Sequence, residues 1–257
     1  MCFDLDSRPP IAPIAGGALD SRRLVLTAAD GNRLAAFEAR ASSPTGAAVL
    51  VLPDVRGLHP YYEELVLRFA EHGVDALAID YFGRTAGTDP RPDTFEYRPH
   101  VDQTRWPGLE ADIRAGDEAL RAVGGSSRTR FSVGFCFGGR MAYLTATLDL
   151  GLAGVIGFYG WPSGVHYTGS PAPADMADRI RGSVLGLYGG ADQGIPAETV
   201  SAFDNALAAA GVDHRLITYP GAPHSFFDRK AEAFAEASAS AWDEVLAFIR
   251  ARTAPPT

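Results

Sequence analysis

The sequence has few of the features that mark secreted, membrane or nucleic-acid-binding proteins. It has only two cysteines, Cys2 and Cys136, in 257 residues, which excludes a disulfide framework. No apolar run approaches the roughly 18 residues of a membrane span, and residues 1–20 lack the basic and apolar regions of a signal peptide. The net charge is −8 without any Lys/Arg cluster, which argues against nucleic acid or an anionic membrane as partner. We therefore expect a cytoplasmic protein.

Motifs for metals and nucleotides are also missing. None of the six histidines shows the H-x-x-x-H or H-E-x-x-H spacing typical of a zinc site. No G-x-x-x-x-G-K-[ST] is present, and no G-x-G-x-x-G opens a helix after a predicted strand. No internal repeat is visible, and the sequence carries no indication of oligomeric state. We therefore expect neither a metal nor a cofactor, and a small molecule as the partner.

The chain has enough apolar residues, 46% of the total, for a substantial core. An Asp-Gly turn between two short β-prone runs predicts a hairpin, and strands then alternate with amphipathic helices. The predicted strands include the runs 47–52, 74–79 and 214–219. This order predicts an α/β fold: a mostly parallel sheet of about eight strands, with an antiparallel N-terminal hairpin and helices on both faces. We expect an extended N-terminal arm over residues 1–21 and a single domain over residues 22–257.

The sequence Gly-Phe-Cys-Phe-Gly-Gly at residues 134–139 lies between a short strand pattern and a helix pattern that begins at Arg140. A strand that turns at once into a helix around G-x-C-x-G-G has the form of a nucleophile elbow with cysteine in the serine position. Glycines two positions before and after Cys136 would let the strand and helix approach closely. The helix N-terminus would favour a thiolate. The alternative is a buried structural cysteine beside glycines kept for packing.

Asp192 and His224 also directly follow predicted strands, so both belong at the same sheet edge as Cys136. The order nucleophile, acid, histidine is that of α/β-hydrolases. In this arrangement His224 would act as the proton carrier, and Asp192 would orient its ring. Taken singly, Asp192 could be a turn residue or a helix cap, and His224 a loop histidine. Together, in this order and at these strand ends, they indicate a catalytic triad.

The elbow, Gly189–Asp192 and Gly221–Phe226 together resemble the dienelactone hydrolase family, over about residues 22–250. The resemblance implies the α/β-hydrolase fold, a Cys-His-Asp triad and hydrolysis of an ester or enol-lactone through a thioester acyl-enzyme. It also leaves alternatives. One is a broader esterase or thioesterase that acts on a less charged group, and the other is a non-catalytic protein that binds a small lactone.

The resemblance further implies roles for residues that follow the strand 47–52. Asp54 would contact the nucleophilic thiol, and the backbone N–H groups of Val55 and Phe137 would form the oxyanion hole. Asp54 departs from the glutamate of the family's dienelactone-cleaving members and is one methylene shorter. The alternative is that Asp54 bonds the backbone of its own loop, as aspartate often does in turns.

The polar, aromatic and proline-rich segment 83–108 breaks the strand–helix rhythm and is expected to wall the substrate pocket. The resemblance implies arginines that hold a substrate carboxylate, for which Arg98 and Arg105 are the candidates, with Trp106 as a further binding residue. In the alternative, these arginines are solvated or paired with Glu96 and Asp102. A second family arginine would lie just after the histidine, where this chain has Asp228 and Arg229.

Overall fold

A computed structural model describes residues 7–92, 94–124, 127–228 and 232–254. Eight strands form one sheet in the order β1-β2-β4-β3-β5-β6-β7-β8, which confirms the predicted architecture. The strands are β1 (Ala18–Thr27), β2 (Arg33–Ala41), β3 (Ala47–Leu52), β4 (Val74–Ile79), β5 (Thr129–Phe135), β6 (Gly154–Phe158), β7 (Ser183–Gly189) and β8 (His214–Tyr219). Because β1 begins at Ala18, the sheet starts before residue 22; the division into arm and domain stays a prediction.

The helices pack around this sheet. Their apolar positions recur at helical spacing, as in α1, where Tyr62, Leu65, Val66 and Phe69 are buried. They are α1 (Pro60–Glu71), α2 (Gly83–Ala86), α3 (Arg98–Val101), α4 (Trp106–Gly124), α5 (Phe137–Thr145), α6 (Ala197–Ala209) and α7 (Ala235–Arg252), with a 3₁₀-helix at Pro173–Arg179.

Strands β3 to β8 run parallel to one another, and β2 pairs in antiparallel fashion with both of its neighbours, β1 and β4. Strands β3 and β4 are buried at every position, as expected for strands covered on both faces. The carboxyl ends of the parallel strands therefore meet at one edge, where ligands bind in sheets of this kind. Asp54, Cys136, Asp192 and His224 follow four of these strand ends.

Two segments differ from what periodicity predicts. Residues 83–108 are not continuously irregular, since they contain the two short helices α2 and α3 and the start of α4. Helix α5 begins at Phe137 rather than at Arg140, although Gly138 and Gly139 are poor helix formers. Close backbone approach requires glycine there and overrides helix propensity, as the next subsection describes.

Within the described ranges, no helix combines the length and the apolar character needed to cross a membrane. The same ranges contain no group of three or more His, Cys, Asp or Glu side chains that could hold a metal ion.

Candidate active site

Cys136 stands at the turn between β5 and α5 in a strained conformation, with φ 55° and ψ −112°. Such a conformation costs about 1–3 kcal/mol and persists only where the surroundings enforce it. Its N–H donates to the carbonyl of Phe158, at 3.0 Å, which fixes the turn against β6. A Cβ on Gly134 would lie 1.9 Å from the Gly138 oxygen, and a Cβ on Gly138 would lie 2.0 Å from the Leu52 oxygen. Only glycine fits at either position.

Asp192 and His224 form a hydrogen-bonded pair next to the Cys136 thiol. The Nδ1 atom of His224 lies 2.6 Å from Oδ2 of Asp192, and the Cys136 thiol is close enough to the imidazole to act on its pKa. The Asp192 side chain is 2% exposed and that of His224 is 27% exposed, so the acid is enclosed while the ring reaches the site. The other Asp192 oxygen accepts the N–H of Gly194 at 2.9 Å.

The electrostatics of this pair favour a charged imidazole. Burial alone would lower the pKa of His224, but the hydrogen bond that its Nδ1–H donates to Asp192, together with the effect of the Cys136 thiol, outweighs burial and raises that pKa to about 11. Burial alone would raise the pKa of Asp192, but the His224 hydrogen bond and the backbone N–H groups of Gly194 and Ile195 lower it. The Asp192 carboxylate is therefore ionised at neutral pH and stabilises an imidazolium.

Tyr159 is a further residue of this site that sequence reasoning missed. It is buried, and its ring centroid lies 4.9 Å from that of His224. The sequence pattern includes Tyr159 in the predicted strand 153–159, whereas β6 ends at Phe158, so Tyr159 stands at the same strand-end edge as Cys136, Asp192 and His224. The loops of Asp192 and His224 are also tied together, since the N–H of Ala191 donates to the Ala222 carbonyl at 2.9 Å.

The two candidate oxyanion donors lie on separate elements. Phe137 is the first residue of α5, where the N–H groups of the first turn have no partner within the helix. Val55 lies in the turn after β3, and its N–H makes no hydrogen bond to the other described residues. A Cβ on Gly138 would lie 2.3 Å from the Pro53 oxygen, so the turn that carries Val55 packs directly on the start of α5.

Asp54 is buried in a cluster of charges with Arg56 and Asp228. Its Oδ1 accepts the backbone N–H of Arg56 at 2.8 Å, and its Oδ2 accepts the Arg56 Nη2 at 2.6 Å and the Tyr62 hydroxyl at 2.9 Å. Burial acts to raise the pKa of Asp54, but the Arg56 guanidinium prevails and lowers it. These contacts match the alternative in which Asp54 bonds its own loop. Its contact with the thiol stays a prediction.

Asp228, four residues after His224, pairs with the same guanidinium. The Arg56 Nη2 lies 2.5 Å from Asp228 Oδ2, and both side chains are 4% exposed. Burial raises the pKa of Asp228 to about 6, against the pull of Arg56. One guanidinium is therefore shared by the two carboxylates of Asp54 and Asp228. Arg229 and Cys2 lie outside the described residues.

The predicted substrate arginines are at the surface. The Arg98 side chain is 76% exposed and pairs with Asp102 at 3.2 Å, one helical turn away. Arg105 is exposed and donates to the carbonyls of Asp102 and Thr104 at 2.9 and 2.8 Å. It lines a cavity of about 230 Å³ whose other lining residues do not include the three residues of the candidate triad. Trp106 is half-buried, and its backbone N–H donates to the Thr168 carbonyl at 2.8 Å.

The sheet order, the elbow after β5 and the candidate acid and histidine after β7 and β8 define an α/β-hydrolase. Residues 34–253 match the sequence profile of the dienelactone hydrolase family. The chain belongs to that family, as the resemblance implied, and is a hydrolase that acts on a small molecule.

Known relatives and solved structures agree with this assignment. A "Putative carboxymethylenebutenolidase" of Yersinia pestis is 30% identical over 222 residues, which cover 84% of this chain and 83% of the relative. A protein of the same description from Synechocystis is 31% identical over 77% of this chain and 82% of its own length. The crystal structure of a "Putative Dienelactone Hydrolase" from Klebsiella pneumoniae superposes with a TM-score of 0.76 at 27% identity, over 91% of this chain and 100% of the other.

Proposed function

We propose that this protein hydrolyses a carboxylic ester or lactone through a Cys136-His224-Asp192 triad and a thioester acyl-enzyme. The observation that carries the proposal is the 2.6 Å hydrogen bond between Asp192 and His224 beside the Cys136 thiol, at the carboxyl ends of the parallel strands. The relatives named carboxymethylenebutenolidase support a lactone as one member of the substrate class. The strained φ of 55° at Cys136 supports a functional rather than a structural cysteine.

In the proposed reaction, the Cys136 thiolate attacks the carbonyl carbon, and the N–H groups of Val55 and Phe137 bind the resulting oxyanion. The tetrahedral intermediate expels the alkoxide, which takes a proton from the His224 imidazolium, and a thioester remains. Acylation removes the thiolate charge that stabilised the imidazolium. The neutral ring then takes a proton from water, whose oxygen attacks the thioester and releases the acid and the thiolate. Asp192 holds the ring in place throughout.

The proposal is tested by rapid mixing with 4-nitrophenyl acetate. We expect a burst of 4-nitrophenol that approaches one equivalent per enzyme, together with an acetyl group on the peptide that contains Cys136, found by mass spectrometry after an acid quench. The Cys2→Ala variant serves as the control for labelling of the second thiol. A protein that only binds a lactone would give neither burst nor acylation, and that result would refute the proposal.

Asp192→Asn should lower kcat/KM by about 10²-fold or more, because an amide favours the wrong tautomer of His224 and does not stabilise its cation. The loss should be smaller than that of His224→Ala. Steady-state hydrolysis of 4-nitrophenyl acetate measures it. The matched control is Asp204→Asn, which removes a surface aspartate 3.2 Å from His214 and should leave kcat/KM unchanged. A silent Asp192→Asn would require another acid to orient the ring, and Asp54 would be the residue to test.

A second candidate function is a broader esterase that acts on a less charged substrate. It is favoured by the exposure of Arg98 and by its surface pairing with Asp102. Such surface pairs contribute little free energy, and an arginine held in one is not placed to bind a substrate carboxylate inside a pocket. The rival hypothesis assigns Arg98 or Arg105 to a substrate carboxylate, through strong bidentate hydrogen bonds.

Matched substrates separate these two functions: a lactone with a free carboxylate and its neutral methyl ester. If either arginine binds the substrate carboxylate, its change to alanine should lower kcat/KM for the acid by about tenfold or more and leave kcat/KM for the methyl ester nearly unchanged. On the contacts described, we expect less than twofold change for both substrates with Arg98→Ala and Arg105→Ala. Arg114→Ala, which removes a surface pair with Glu110, is the control. A loss of kcat/KM confined to the acid would instead assign the changed arginine to the substrate carboxylate.

A further inference from the structure

Arg140, one helical turn after Cys136, is 1% exposed and lies beneath the segment of residues 161–171, which we call the 161–171 segment. Its Nε donates to the Ser170 hydroxyl at 3.0 Å. Its two terminal nitrogens donate, at 2.8 to 3.3 Å, to the backbone carbonyls of Trp161, Ser163, Gly164, Ser170 and Pro171. One side chain thus gathers both ends of the segment.

The Arg140 guanidinium has no carboxylate within ion-pair distance in the described ranges. Burial lowers its pKa to about 10, against the weaker pull of Asp175. A buried cation without a counter-ion is stable only when its donors are satisfied, and here carbonyl dipoles satisfy them. Any displacement of the 161–171 segment would leave this charge uncompensated. The segment is therefore held in one position before any substrate arrives.

The outer face of the 161–171 segment is apolar. Trp161 is 46% exposed, Val165 98% and Tyr167 49%, and these are three of the five large apolar side chains that are exposed in the described ranges. Isolated exposed apolar residues need no explanation, but three on one short segment mark a binding surface.

This face lies next to the candidate nucleophile. Phe137, which follows Cys136 in the chain, stacks on Tyr167 with ring centroids 6.4 Å apart, and its ring lies 5.7 Å from that of His166. Burial raises the pKa of the Tyr167 phenol to about 12, with smaller contributions in the same direction from the Asp102 carboxylate and the Cys136 thiol, against the opposing effects of Thr104 and the Arg98 guanidinium. Trp161 is two residues beyond Tyr159, whose ring packs on His224. An acyl or alcohol group at Cys136 would therefore meet Tyr167, and Trp161 is exposed on the same segment.

The charges around the site do not favour an anionic group. Asp54 and Asp228 share the Arg56 guanidinium, so this cluster carries more carboxylate than cation when both acids are ionised. Arg98 pairs with Asp102 at the surface, and Arg105 donates to backbone carbonyls. The Arg140 guanidinium is enclosed by the 161–171 segment. Among the groups described around the thiol, the exposed ring of Tyr167 offers an uncharged surface.

We propose that the 161–171 segment, held by Arg140, is a preformed wall of the substrate site, and that Trp161 and Tyr167 on it bind the uncharged, flat apolar group of an ester or lactone substrate. This inference rests on the proposed function, since it names the substrate class of the same site. Tyr167 and Trp161 act as specificity residues, and Arg140 acts as a positioning residue.

The test compares, in two series, a small ester with an ester that carries an added phenyl group. The acyl series is 4-nitrophenyl acetate and 4-nitrophenyl phenylacetate, and the alcohol series is ethyl acetate and benzyl acetate, followed by acid release. We expect the wild type to prefer the ester with the added phenyl group by about tenfold or more in kcat/KM in at least one series, the effect of burying one aromatic group. Tyr167→Ser and Trp161→Ser should lower kcat/KM for that phenyl-bearing ester by about tenfold and for the small ester of the same series by less than twofold.

Val25→Ser, which alters an exposed apolar residue on β1, is the matched control and should not change the ratio of kcat/KM between the two esters of a series. Arg140→Lys, which keeps the charge but lacks the planar fork, should raise KM for the phenyl-bearing ester more than for the small ester, with the fold checked by circular dichroism. An equal effect of the Tyr167 and Trp161 changes on both esters, or no effect, would overturn the proposal. If the wild type turns over 4-nitrophenyl acetate but does not prefer the phenyl-bearing ester in either series, only the proposed role of the 161–171 segment is refuted. If it turns over no ester, the proposed function is refuted as well.

Discussion

Cys136→Ala should reduce hydrolysis of 4-nitrophenyl acetate to the rate of the uncatalysed reaction, a loss of at least about 10³-fold. The proposed reaction forms its only covalent bond at this sulfur, and no other described group stands in its place at the elbow. The protein should still fold, because alanine is smaller than cysteine and the glycines at 134 and 138 keep the space that the turn needs. Steady-state rates and the thermal midpoint Tm, measured on the same preparation, separate loss of activity from loss of fold.

Cys136→Ser provides the chemical control for that variant. Serine keeps the size and a hydrogen-bonding group, but its hydroxyl loses a proton far less readily than a thiol, so acylation should also be strongly impaired. Cys2→Ala should behave as the wild type. Activity of Cys136→Ala within tenfold of the wild type would remove the nucleophile assignment and with it the thioester.

His224→Ala is expected to lower the acylation rate by about 10³-fold or more, since both thiolate formation and protonation of the leaving group are lost. Against the effect of burial, the Asp192 carboxylate and the Cys136 thiol raise the pKa of the imidazole to about 11, so the ring is charged at neutral pH. In the proposed reaction this charge stabilises the attacking sulfur. Without it, the burst of 4-nitrophenol should disappear at pH 7. It should partly return at high pH, where hydroxide deprotonates the thiol. Stopped-flow measurement of the burst from pH 6 to pH 10 records both effects.

His214→Ala is the matched control for this variant. His214 is a half-buried histidine whose Nδ1–H donates to the Val212 carbonyl at 2.7 Å and whose Nε2 lies 3.2 Å from Asp204. It is the first residue of β8, at the opposite end of that strand from the loop that carries His224. Its removal should leave the burst unchanged. A His224→Ala variant that acylates at more than one tenth of the wild-type rate would assign proton transfer to another group.

The strand pattern carried most of the fold. The runs 47–52, 74–79 and 214–219 were predicted with the bounds that the structure has, because short apolar or β-prone runs bounded by glycine, proline or aspartate leave little freedom in placing a strand. Helix starts were less accurate. Periodicity placed the elbow helix from Arg140, since it reads Gly138 and Gly139 as breakers and has no information on how closely two backbones pass.

The candidate site could be predicted where it depends on chain order. Residues that directly follow parallel strands share an edge, so Cys136, Asp192 and His224 could be brought together without coordinates. Contacts among loops could not. Arg140 is an arginine in an apolar helix, and nothing in its neighbours indicates that carbonyls of the 161–171 segment enclose it. The pairing of Arg56 with Asp228 spans 172 positions and joins two loops whose mutual approach only the folded sheet sets.

The position of β8 at the edge of the sheet determines how the protein should lose activity in denaturant. β8 stands at one end of the strand order, and its side chains are partly exposed at most positions, whereas β5, which leads to Cys136, lies in the interior of the sheet. Elements with few buried contacts open locally at a lower free energy than the whole fold requires. His224 follows this edge strand. Mild denaturant should therefore abolish activity through a reversible local unfolding of β8, which separates the imidazole from the thiol. Cys136 should at that point still be held by an intact central sheet.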